Sequence, residues 1–110
     1  MPYQHEELAA GRWGRLSLAE QMANIGSEVE RALNWRIKNN SDYCLRAAER
    51  ALELSDLSLA STVKFTQLKE IARLREILAD YFYGSNQYGS TEISLRKYFA
   101  PFTYAARRHT

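Results

Sequence analysis

Between Ser17 and Asn40 the apolar residues recur three and four apart: Leu18, Met22, Ile25, Val29, Ala32 or Leu33, and Ile37. That period is one face of an amphipathic helix. Ser17-Leu-Ala-Glu20 marks its start as a capping box, in which Ser17 accepts the Glu20 N–H and the Glu20 side chain reaches back. "KNNS" marks its end. Gly26 interrupts the helix at a cost of up to about 1 kcal/mol relative to Ala, which points to close approach of another helix.

Three more helices follow from the same pattern. The second covers Asp42 to Ser58, with Leu45, Ala48, Leu52, Ser55 and Leu59 on one stripe and Arg46, Glu49, Arg50 and Glu53 opposite. A short connection, "LASTVKF", reads as polar. The third covers Thr66 to Tyr83, with a wide apolar surface of Leu68, Ile71, Leu74, Leu78, Tyr81 and Phe82 that calls for more than one neighbour. After the loop "GSNQYGS", Ser90 is the expected cap of the fourth, whose stripe is Ile93, Leu95, Tyr98, Phe99, Phe102 and Ala106. Pro101 falls inside that stripe and should kink or split the helix near Lys97 to Ala100, with Phe102 and Tyr104 closing one end of the bundle.

Short connections make neighbouring helices antiparallel. The expected fold is all-α: an up-down four-helix bundle over residues 17–108, with a flexible N-terminal arm over residues 1–16 and a Pro-kinked fourth helix. Within the arm, Gly11 and Gly14 bracket Trp13, which is expected to dock on its own domain.

At 110 residues the chain suits one domain, and it can bury a core without staples. No apolar run approaches a membrane span and the N-terminus has no apolar signal core, so a cytoplasmic location is expected. A single cysteine, Cys44, excludes an internal disulfide and reads as a small buried hydrophobe. The two histidines, His5 and His109, lie near the chain ends, so a metal site would need carboxylates alone. No phosphate-binding loop, dinucleotide fingerprint or nucleophile elbow is present. No cofactor, metal or catalytic residue is expected, and the chain does not read as an enzyme.

A net charge of +2 is too balanced to imply nucleic-acid binding by itself. The last fifteen residues nevertheless carry Arg96, Lys97, Arg107 and Arg108 with no acid among them, interleaved with aromatics in "RKYFAPFTYAARR". Phosphate contacts beside stacking surfaces are the physics of single-strand binding. Arg75 falls on the Leu68–Leu78–Phe82 side of the third helix. It is either a buried pair partner or reaches past the core; burial with a carboxylate partner is the expectation, Glu28 or Glu53 being the candidates.

The best functional lead is a second edge on the first helix: Asn24, Glu28, Arg31 and Trp35, spaced four, three and four apart. A Trp is an odd tenant of a polar edge. Either the arm or the fourth helix covers it, or the edge binds a partner with Trp35 as anchor and Glu28 and Arg31 as orienting groups.

Taken together, "LSLAEQMANIGSEVERALNW", "AERALELSDL", "LKEIARLREILADYF" and "KYFAPFTYAAR" resemble a family of small uncharacterised all-helical bacterial proteins, over about residues 13–107. That family implies the helical fold and no established activity. In fold and size the chain is also similar to four-helix accessory bundles: those encoded in intervening sequences of large ribosomal RNA genes, those of diversity-generating reverse transcriptases, and HEPN domains. HEPN ribonucleases carry Arg, four to six residues, then His. Here Phe102, Thr103 and Tyr104 stand at those distances before His109, so the nuclease motif is absent. The expected function is a non-enzymatic protein-interaction or self-assembling module, a homo-oligomer included. The alternative is an RNA- or DNA-binding accessory protein using Arg96, Lys97, Arg107 and Arg108.

Overall fold

In the computed structural model, which describes residues 11–108, four helices account for most of the described residues. They are α1 (Leu18–Ile37), α2 (Ser41–Ser61), α3 (Phe65–Tyr83) and α4 (Glu92–Arg108), preceded by a 3-10 turn at Trp13–Arg15. No described helix is long and apolar enough to cross a membrane.

The local signals for α1 act as the sequence implies. Ser17 Oγ accepts the Glu20 N–H and Glu20 Oε1 accepts the Ser17 N–H, closing the capping box. Asn39 takes φ 59°, a left-handed conformation that Asn tolerates. Asn40 then caps α2 by accepting the Tyr43 N–H. At α4 the expected cap moves by one residue. Thr91 and Ser94 exchange side chain-to-backbone hydrogen bonds at 2.8 and 3.0 Å. Ser90 is instead tied by its backbone to Asn86.

Helix α1 is central. It packs on α2 and on α4, and α2 packs on α3, so the pairing order is α4–α1–α2–α3. The ends of that series, α3 and α4, barely meet backbone to backbone. The core is built from Met22, Ile25, Val29 and Leu33 of α1, Ala51 and Leu54 of α2, Ile71, Leu74 and Leu78 of α3, and Leu95 and Phe99 of α4.

Gly26 explains how closely α4 approaches α1. A Cβ there would sit 2.9 Å from the Phe99 ring. On α2 the buried face is shifted from the expected stripe. Cys44, Ala47, Ala48, Ala51, Leu54 and Ser55 are buried, Leu52 and Leu59 are half-buried, and Leu45 is exposed. Small residues dominate the inner face near α1 because they let the two helices come close, while Leu52 and Leu59 lie along its margin.

Two expectations need correcting. Of the kink or split expected at Pro101, the split does not occur: the fourth helix runs unbroken from Glu92 to Arg108. Pro101 is exposed, so water is available to the carbonyl it leaves without a donor. Phe102 packs against the core, but Tyr104 stays exposed and closes nothing. The arm is also not loose up to residue 16. Trp13 is 2% exposed, its Nε1–H donates to Ser58 Oγ at 2.9 Å, and Ser58 donates to Gln21 Oε1. Gln21 Nε2 donates back to the Trp13 carbonyl, so the turn is locked to α1 and α2 together. The rest of the arm, residues 1–10, lies outside the described residues.

Candidate functional site

The α1 edge that led the sequence reading is a packing seam. Asn24 donates to the Glu20 carbonyl of its own helix. The Glu28 carboxylate is buried and held twice, by Arg31 at 2.7 Å and by Arg50 of α2 at 2.5 Å. Trp35 is half-buried against Ala32, Cys44, Ala47 and Ala48. Its ring meets the Tyr43 ring at 4.8 Å, and Lys38 lies over it at 5.1 Å. The first turns of α2 therefore cover Trp35, and neither the arm nor α4 is needed. Of the four residues only Arg31 and Asn24 face water, and both are engaged within α1.

The cations of α4 do not form one strip. Arg96 is held by Glu30 at 2.8 Å, by Glu92 and by Asn34, so its charge is spent inside the fold. The carboxylate hydrogen bonds hold its guanidinium pKa above the ordinary value. Arg108 lies over the exposed Tyr104 ring at 5.8 Å. Lys97 and Arg107 are exposed.

Arg75 is paired, but neither buried nor with the expected partner. Its Nε reaches Asp56 Oδ1 at 2.5 Å, and the two side chains are 39% and 43% exposed. Glu28 is already occupied by two arginines, and the long Arg stem carries its head past the apolar face to the outer α2–α3 margin. Among the described residues the buried charged side chain is Glu28.

The open side of the bundle is the feature the sequence reading missed. Between α3 and α4 lies a groove of about 670 Å³. Leu74, Ile77 and Leu95 form its apolar floor. Lys69, Glu70 and Arg73 of α3 line one wall, and Ser90, Ser94 and Tyr98 the other. The loop between the helices is pinned in place. Asp80 accepts the Gln87 and Tyr88 backbone N–H groups, and the Tyr88 hydroxyl donates to Glu76. The groove is thus built into the fold.

Tyr98 is the unusual member of this wall. Its hydroxyl is buried, with the Glu70 carboxylate near it but no well-formed hydrogen bond. Burial, with the Glu70 carboxylate in electrostatic reach, pushes its pKa above the ordinary 10.0, so the phenol is neutral. Spacing placed Tyr98 in the core stripe, and α3 periodicity gave no sign that Lys69 and Arg73 would share a wall with it. Only the pairing order of the helices brings them together.

The second missed feature is the α2–α3 connection. Val63 is 91% exposed and Phe65 75% exposed, on either side of Lys64. Reading that stretch as polar overlooked two large apolar side chains at the helix junction. Cys44, by contrast, is buried as expected, and burial raises its thiol pKa. Comparison of the chain with family models, curated proteins and solved structures found no match.

Proposed function

We propose that this protein is a non-enzymatic protein-interaction module whose anchor is the Val63-Lys64-Phe65 knuckle. The observation that carries the reading is the exposure of Val63 and Phe65, 91% and 75%, at the junction of α2 and α3, the one in the connection and the other opening α3. Two neighbouring large apolar side chains in water stabilise nothing in the bundle. Covered by a partner, they would supply roughly 25 cal/mol per Å² of apolar area buried. An aromatic anchor beside a cationic rim residue is a common hot-spot arrangement. The knuckle is flanked by fixed helix ends: Thr62 N–H bonds back to Ser58 O and Leu68 N–H to Lys64 O. A buried, raised-pKa Cys44 suits a reducing cytoplasm, where such a partner would be met.

The α1 edge supports this reading less, since α2 packs over Glu28 and Trp35 and leaves only Asn24 and Arg31 exposed. Nucleic-acid binding by α4 loses Arg96 to its carboxylates. The test is photo-crosslinking in cells with benzoylphenylalanine at position 65. A discrete protein adduct is expected at 65 and none at the exposed Ala72. Light scattering of the purified protein then tells whether the partner is a second copy. Equal adducts at both positions, or none at 65, would remove the knuckle as an anchor.

A further inference from the structure

The α3–α4 groove carries an inference separate from the knuckle. We propose that it is a binding site for a single-chain amphiphile with a carboxylate head, the head between Lys69 and Arg73 and the tail along Leu74, Ile77 and Leu95. The groove's volume, about 670 Å³, falls within the range of small-molecule sites, which combine an apolar lining with a few placed polar groups. From the midpoint between Lys69 and Arg73 to Ile77 the α3 wall extends about 9 Å at helical rise, which leaves room for most of a medium acyl chain.

Charge selects the head. Lys69 and Arg73 stand one turn apart on the same wall, and both are exposed. Among the described residues neither is paired with a carboxylate, whereas Arg31, Arg50, Arg75 and Arg96 all are. Glu70 is the single acid of the lining, so the groove keeps a net positive charge. On the opposite wall the Tyr98 hydroxyl is buried, with the Glu70 carboxylate near it but no well-formed hydrogen bond between them. A buried donor so poorly satisfied is costly, and a ligand carboxylate oxygen would complete its bonding.

The probe is decanoate, titrated into the purified full chain and followed by amide NMR shifts. Saturable shifts are expected along Lys69, Arg73, Ile77, Ser94 and Tyr98. Lys69→Gln with Arg73→Gln should weaken binding by about tenfold or more, the worth of one charged contact. Decyltrimethylammonium, with the same tail and the opposite head, should bind no better than decanoate binds that double variant. Should the double variant fail to fold, Arg73→Gln alone is expected to weaken binding in the same direction. Equal binding of the cationic probe, shifts confined to other faces, or an unaffected variant would overturn the site. Phosphatidylglycerol vesicles distinguish the source of the head group. Cosedimentation lost on the same substitutions, without decanoate binding, would assign the two cations to a membrane surface and overturn the proposal.

Discussion

The indole N–H of Trp13 donates to Ser58 Oγ at 2.9 Å across 45 residues of chain, and that one contact makes the end of the arm part of the core. Ser58 passes the interaction on to Gln21, which returns to the Trp13 carbonyl. The ring of hydrogen bonds is closed and buried. Ser58→Ala should strand the indole N–H and the Gln21 carbonyl, at a cost of about 1–3 kcal/mol. Trp13→Ala should cost more, about 3–5 kcal/mol, because it also empties a core volume. Urea denaturation followed by far-ultraviolet circular dichroism measures both. A loss below 0.5 kcal/mol for Trp13→Ala, on the scale of a surface change, would show that the arm does not hold the bundle together.

Gly26 and Phe99 set the distance between α1 and α4. Gly26→Ala would gain up to about 1 kcal/mol of helix propensity. It would also place a methyl 2.9 Å from Cδ1 and Cγ of the Phe99 ring and 3.0 Å from its Cβ. The nearest atoms include the root of the side chain, so a rotamer change cannot relieve the clash and α4 must move. Overpacking of this kind costs about 1–3 kcal/mol, so the net effect should be destabilising. Phe99→Leu in the Gly26→Ala background should recover part of the loss, by less than the sum of the two single changes. A net gain in stability from Gly26→Ala alone would contradict the packing.

These two contacts mark how far the sequence carries. The capping box at Ser17, the glycine under a neighbouring helix and the four apolar periods are local, and local patterns survive folding. What failed depended on which helix meets which. Periodicity says that Trp35 shares an edge with Glu28, but not that α2 lies over that edge. It places Arg75 on an apolar side, but not at the margin where Asp56 waits. The groove is the extreme case. Its walls come from helices whose sparse contact is a property of the whole pairing order, and no stripe encodes a gap.

Glu28, rather than Arg75, should be the ion whose loss is felt. Its carboxylate is 9% exposed and held by Arg50, whose side chain is 25% exposed. Glu28→Ala leaves Arg50 half-sequestered without its counter-ion, at an expected cost of about 1–3 kcal/mol. Arg75→Met breaks only a surface pair and should stay below about 1 kcal/mol. Arg31→Ala should behave like Arg75→Met, since its head lies in water. Thermal unfolding of the three variants side by side gives the order. Arg75→Met falling below Glu28→Ala in stability would reverse the assignment.

Tyr98 ties stability to alkaline pH. Burial and then the Glu70 carboxylate raise its phenol pKa in the folded chain above the ordinary 10.0. The unfolded chain therefore releases the proton first. Below pH 10 both states hold it and the folded state keeps its full stability. As pH rises past 10 the unfolded state alone ionises, and stability falls with each further unit until the folded pKa is reached. Tyr83 and Tyr88 are shifted in the same direction, but Tyr83 is half-exposed and Tyr88 bonds at the surface, so Tyr98 should dominate. Tyr98→Phe removes the group and the buried hydroxyl that makes no well-formed hydrogen bond. The variant should match or exceed the parent at neutral pH and lose less stability between pH 10 and pH 11.5. Chemical denaturation across that range gives both slopes. Parallel alkaline limbs in the two proteins would mean that the Tyr98 phenol meets water after all.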